Sequence, residues 1–222
     1  MVLPGVGFDV VPTDCMAAYL KKALPTATHL TLGFLGLGGI SHGTATTMLE
    51  NLGEPSLIRQ KGKIVEIPSG SKTRMIPFNK KPRISVAIPW GDVSTAYHST
   101  GIPNIEVYMG ASKNVVNFLQ FSENFKWLVT TSMIKNLIQS GIDATIKGPD
   151  AKKRRTGKSY IFGEVKDAEG SLVSARIITP EGYTLTTQTA IAAVEKVLKG
   201  NAPIGFQTPS SAYGHNFILE MP

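Results

Sequence analysis

The apolar positions of this chain change period several times, and the changes mark out its elements. Val2-Leu3 is a short apolar stub broken by Pro4, Gly5 and Gly7, as a buried strand breaks on leaving its sheet. Met16, Tyr19, Leu20, Ala23 and Leu24 then recur at helical spacing, with Thr13 or Asp14 as N-cap and Pro25 as the stop. Leu30, Leu32 and Phe34 alternate with Thr31 and Gly33, which predicts a strand. A second helix opens at Ser41 or Thr44, runs through Thr46, Met48, Leu49 and Leu52, and closes on Gly53. From Lys61 to Met109 the apolar runs shorten to Ile64–Ile67, Arg74–Ile76, Ile84–Ile88 and Ile105–Tyr108, each bounded by Pro or Gly. A helical block from Lys113 to Gln139 follows, with Trp127, Leu128, Met133, Ile134, Leu137 and Ile138 as its apolar face and Gly141 as its stop. Ser159–Val165 and Leu172–Ile178 flank Asp167-Ala168-Glu169-Gly170, a hairpin signal. A last helix is expected from Thr186 or Thr187 to Lys199, followed by an extended tail through Phe206, Phe217 and Ile218.

This order lacks the strict strand–helix alternation of a doubly wound fold. It predicts an α+β domain: a mixed, largely antiparallel sheet with helices packed on one face, and no complete Rossmann domain. A 222-residue chain that is 42% apolar is ordinary for a folded protein, and disorder needs low hydrophobicity together with high charge. No run approaches the roughly 20 apolar residues that span a bilayer, and the N-terminus has no signal-peptide pattern. Cys15 is the single cysteine, which rules out an intrachain disulfide and a cysteine-built zinc site and predicts a reducing, cytoplasmic setting.

The net charge of +7 is unevenly spread: Lys147, Lys152, Lys153, Arg154, Arg155 and Lys158 crowd one segment that also holds Gly148, Pro149 and Gly157. The segment predicts a solvated loop, with an anion or nucleic-acid contact as the alternative. No aromatic residue interleaves the charges, which argues against single-strand binding.

Candidate chemistry is thin in the usual places. Gly36-Leu37-Gly38-Gly39 follows a strand, but the third glycine of a dinucleotide fingerprint falls on Ser41, and counting from Gly5 it falls on Val10. Ser41-His42-Gly43-Thr44 sits at a predicted helix start, where a carboxylate could bind or the hydroxyls could simply cap. His29, His42, His98 and His215 have no second ligand at helical spacing, so no metal site is expected. No nucleophile elbow is present, and Cys15 reads as a small core residue. Two stretches are richer than structure alone requires: Gly5 to Asp14, with two carboxylates around a glycine-flanked turn, and Pro89 to Tyr97, with Trp90, Asp92 and Tyr97 after a strand.

Gly7-Phe8-Asp9-Val10-Val11-Pro12-Thr13-Asp14, Ser41-x-Gly43-Thr44, Pro89-Trp90-Gly91-Asp92, Gly182-Tyr183-Thr184-Leu185-Thr186 and Gly205-Phe206-Gln207-Thr208-Pro209 stand in the order found in saccharopine dehydrogenase-like proteins. The chain resembles the part of such a protein that follows its N-terminal Rossmann domain. The resemblance implies residues 1–13 as the exit from a Rossmann domain, 14–180 as a substrate-binding and dimerisation domain, and 181–222 as a helix and tail that pack back on the Rossmann domain. It implies NAD(P)-dependent hydride transfer to or from an amino-acid-derived imine or related small substrate, with lysine metabolism as the founding setting. It places Gly7, Phe8 and Asp9 near the nicotinamide, and Ser41, Gly43, Thr44, Trp90, Asp92 and Tyr97 at the substrate cleft. Asp9, His42 and Tyr97 are the candidate proton donors. With the fingerprint absent, no tight NAD(P) binding by this chain alone is expected. The implied partners are a second copy in a homodimer and a Rossmann domain supplied upstream or in trans. The alternative is a non-catalytic, self-associating interaction module derived from that family.

Overall fold

The computed structural model describes residues 1–36, 39–79 and 81–221. Leu37 and Gly38, from the glycine-rich run weighed above, lie outside the described residues. In chain order the elements are α1 (Val11–Ala23), β1 (His29–Gly36), α2 (His42–Glu50), β2 (Ser56–Gln60), β3 (Lys63–Ile67), β4 (Thr73–Ile76), β5 (Arg83–Ala87), α3 (Asp92–Thr100), β6 (Asn104–Gly110), α4 (Lys113–Asn124), α5 (Lys126–Val129), α6 (Ser132–Thr145), α7 (Ala151–Thr156), β7 (Lys158–Lys166), β8 (Leu172–Pro180), α8 (Gly182–Leu198) and α9 (Pro209–Tyr213), closed by a 3-10 turn at Phe217–Glu220.

All eight strands join one open sheet ordered β3-β2-β6-β1-β7-β8, with the β4–β5 hairpin attached through β5 to β6. The β1–β6 pair is parallel and the other pairs are antiparallel. The mixed, largely antiparallel sheet expected from the element order is therefore present.

Period-two alternation decides what each face of that sheet meets. Leu30, Leu32 and Phe34 of β1, Ile105 and Val107 of β6, and Ile161 and Val165 of β7 join Met16, Ala17 and Leu20 of α1 and Val93 and Ala96 of α3 in the main core. The opposite face carries Tyr108 and Phe162, covered by Ile76 and Phe78 as the chain leaves β4. Two glycines make these contacts possible. A Cβ on Gly163 would sit 2.5 Å from Met16 Cγ, and one on Gly33 would sit 2.9 Å from Ile76 Cδ1. Helix α1 thus lies on β7 at a spacing that a larger residue at position 163 would break.

The tail does not stay extended. Thr208 caps α9 in a capping box, and Phe217 and Ile218 are buried against Val11, Cys15, Leu185 and Ala193 in a second cluster. A third cluster joins α2 to α5 and α6 through Ala45, Leu49, Leu52, Val129 and Ile142.

Several boundaries differ from the sequence reading, each for a local reason. The expected long helical block is three helices, α4 to α6, because Ser112 and Thr131 each cap a new start. Gly141 does not stop α6, which runs on to Thr145. The basic segment is not all loop: Asp150 Oδ1 accepts from Lys153 N at 2.7 Å and caps α7, and Lys158 opens β7. Helix α8 begins at Gly182 rather than Thr186, because Glu181 Oε2 accepts from the N–H groups of Tyr183 and Thr184. Strand β2 has no counterpart in the sequence reading. Pro89 to Tyr97, read as a loop, turns directly into α3.

Candidate functional site

The turn at Gly5 to Val10 is dictated by crowding. Gly5 has φ +78°, and a Cβ there would lie 2.6 Å from Val10 Cγ2; one on Gly7 would lie 2.8 Å from Thr186 Cγ2. The turn closes with Val11 N donating to Gly7 O at 3.0 Å and so leads straight into α1. Helix α8 holds it from the other side: Phe8 N donates to Thr186 Oγ1 at 3.0 Å, and Thr189 Oγ1 donates to Val6 O at 2.7 Å.

On that frame the aromatic side chains assemble. Phe8 meets Phe34 edge to face at 5.8 Å, Phe34 packs on Trp90 at 4.7 Å, and Trp90 Nε1 donates to Asp9 O at 2.7 Å. Phe8 also covers Gly182, where an added Cβ would lie 3.3 Å from Phe8 Cγ. The next residue, Tyr183, reaches the start of α2: Ser41 N donates to Tyr183 Oη at 2.7 Å, and Thr44 Oγ1 lies 3.0 Å from the same oxygen. Ser41 Oγ meanwhile accepts from Thr44 N at 3.1 Å as the helix cap.

A cavity of about 570 Å³ opens beside Tyr183, lined by Ser41, Lys147, Gly148, Pro149, Arg154, Tyr183, Thr184, Thr187 and Gln188. Gly7, Phe8, Asp9 and Trp90 thus form one cluster, Ser41 and Thr44 a second, and the first residues of α8 join the two.

The remaining sequence candidates lie elsewhere. His42 Nε2 contacts Asp143 Oδ1 at 2.7 Å on the surface, an ion pair or hydrogen bond that ties α2 to α6. A Cβ on Gly43 would meet Ser41 Oγ at 3.9 Å, an ordinary contact. Tyr97 lies under the Arg59 guanidinium, 4.2 Å from its ring centroid, and Arg59 itself donates from Nε to Val93 O and from Nη1 to Gly62 O. Asp92 is fully buried on α3, so it faces the protein interior and not a cleft.

The carboxyls around the turn respond to their surroundings. Partial loss of hydration pushes the Asp9 carboxyl up from the usual carboxylate range, although by area the residue is exposed. Burial does the same to Asp14, opposed by hydrogen bonds from Ser99 Oγ, which is in contact, and from Ser210 N at 2.7 Å. Burial pushes Asp92 up furthest, opposed by the Thr13 hydroxyl at 2.9 Å and reinforced by the charges of Asp14 and Asp9. Asp92 Oδ2 accepts from Thr13 Oγ1, and Asp92 Oδ1 is buried with no partner among the described residues. Cys15 is buried and its thiol is pushed up to about 12 by desolvation, so it is not an activated nucleophile.

Sequence reasoning missed Lys147, Arg154, Thr187 and Gln188 as lining residues. The cluster of cations was visible, but nothing local said that two of them turn toward the start of α8. Among the described residues, no three His, Cys, Asp or Glu gather as metal ligands would, and no helix is long and apolar enough to cross a membrane.

The fold is of the mixed, largely antiparallel α+β class expected from the sequence. No family model and no curated protein matches the chain. Among solved structures it is similar to apo histidine-tagged saccharopine dehydrogenase (L-Glu forming) from Saccharomyces cerevisiae, with a TM-score of 0.59 and 10% identity over 99% of this chain and 71% of that one. At that identity the likeness establishes a saccharopine dehydrogenase-like fold.

The Asp92 environment sets a pH dependence. Its folded pKa lies above the ordinary 3.8, so between those values the folded state holds a proton that the unfolded state has lost. Stability contributed there is present at low pH and is lost as pH rises. Asp14 acts in the same direction. Asp92→Asn is therefore expected to flatten the fall in urea-unfolding stability as pH rises above about 4. An unchanged slope contradicts a raised Asp92 pKa.

Proposed function

We propose that this chain is the substrate-binding portion of a saccharopine dehydrogenase-like NAD(P)-dependent oxidoreductase, working on an amino-acid-derived imine or related small substrate. The observation that carries the reading is the meeting of the Gly7–Asp9 turn, with Trp90 behind it, and of Ser41, far apart in sequence, at the first residues of α8, in a fold shared with the yeast enzyme.

The residues fit one end of a dinucleotide and not the other. Phe8 and Asp9 on a glycine-framed turn, with Phe34 and Trp90 behind them, offer a partly apolar platform for a nicotinamide. Among the described residues there is no glycine fingerprint for the pyrophosphate, so a Rossmann domain must supply that contact. The cofactor, when bound, supplies hydride. This chain's part is orientation and proton handling, and Asp9, with its raised pKa at the turn, is the best-placed proton donor. Purified chain titrated with NADPH is expected to give no saturable change in nicotinamide fluorescence. Low-micromolar affinity contradicts the division of labour proposed here.

A second reading, a self-associating module, is favoured by the outer face of α8, where Ile191, Val194 and Leu198 are 55%, 58% and 81% exposed. It predicts a homodimer on light scattering that Val194→Glu returns to monomer. A wild-type monomer at high concentration rules this reading out.

A further inference from the structure

Lys147 and Arg154, read from sequence as part of a solvated loop, are brought by two local devices onto the cavity beside Tyr183. Gly148, at φ +76°, turns the chain beside Ser41, where an added Cβ would lie 3.5 Å from Ser41 Cα, and Asp150 then caps α7 so that Arg154 falls one turn later on the same wall. Arg154 Nη1 donates to Pro149 O at 2.7 Å, which fixes the guanidinium at the rim. Its other N–H groups, and the Lys147 ammonium, have no carboxylate or other acceptor among the described residues. The opposite wall is α8, with the hydroxyls of Tyr183, Thr184 and Thr187 and the amide of Gln188, whose Oε1 is buried without a partner. Ser41 closes the end. Among the described residues no carboxylate lines the cavity; Glu181, behind the wall, spends its Oε2 on the N–H groups of Tyr183 and Thr184.

Two unpaired cations and an unpartnered acceptor describe a polyoxygen dianion attached to a group that can itself donate a hydrogen bond; the hydroxyls of Thr184 and Thr187 on the same wall donate to Arg154 O and Tyr183 O. A lone carboxylate would leave one of the two cations without a counter-charge. At about 570 Å³ the cavity also has room for more than an inorganic anion. We propose that this cavity binds the phosphate of a phosphate monoester through Lys147 and Arg154, with Ser41, Tyr183 and Gln188 lining the rest of the site. The inference names a ligand class for the cleft described above and rests on reading it as a substrate cleft; it does not depend on hydride transfer.

The test is calorimetric titration of the full chain with inorganic phosphate, phenyl phosphate and acetate. Saturable binding of both phosphates is expected, at least tenfold tighter than acetate. It should fall at least tenfold in the Lys147→Gln/Arg154→Gln double variant and hold within twofold in Lys152→Gln/Lys153→Gln, which removes the same charge from the same segment but not from the wall. Circular dichroism on each variant confirms that these exposed positions leave the fold intact. Three results overturn the proposal: no saturable phosphate binding, acetate binding as tightly as phosphate, or equal loss in both double variants, which means diffuse attraction. A nicotinamide fluorescence response that phenyl phosphate does not compete away would sink the proposed division of labour while leaving the phosphate result standing.

Discussion

The buried carboxylate of Asp14 is the constraint on which the arrangement depends. It sits on α1 with no exposed surface and is reached by Ser99 Oγ of α3 and by Ser210 N of α9. Taking a carboxylate out of water costs several kcal/mol, and charge-assisted hydrogen bonds offset that cost when geometry is good. Neither the α3 hydroxyl nor the α9 N–H is optional, because losing one would leave a buried acceptor short at a cost of about 1–3 kcal/mol. Thr208 Oγ1, 2.7 Å from Ser99 Oγ, extends the network to the cap of α9. One side chain thus fixes the relative positions of the N-terminal turn, α3 and the tail.

That clamp explains why segments so distant in sequence meet. Helix α1 lies flat on β7 because Gly163 lets Met16 and Leu20 approach, and its N-terminal turn then points at the start of α8. Trp90 follows from α3, which Asp14 and the Thr13–Asp92 contact hold against α1. The cleft is built by packing on the sheet, and its chemistry sits where the elements begin, at the first residues of α1, α2, α3 and α8.

Most of the fold was legible in the chain. Alternation along Leu30–Phe34 and Ser159–Val165 marked strands whose two faces differ, and the helical stripe of Met16 and Leu20 marked the face that covers them. What stayed hidden depended on contacts made at a distance. Asp92, the first residue of α3, accepts from the distant Thr13 hydroxyl, and no local pattern announces that. The start of α8 was read four residues late because Glu181, an acidic residue outside the apolar stripe, is the cap. Of the candidate site residues, Gly7, Phe8, Asp9 and Trp90 lie together and Ser41 and Thr44 share Tyr183, whereas His42 contacts Asp143 and Tyr97 packs under Arg59.

The most direct measurement is hydrogen exchange by mass spectrometry on the wild type and Asp14→Ala. The account predicts that peptides covering residues 205–221 and the Gly5–Val10 turn lose protection while the β7–β8 hairpin keeps it. Unchanged protection of the tail, or an equal loss across the whole chain, would contradict a clamp centred on Asp14.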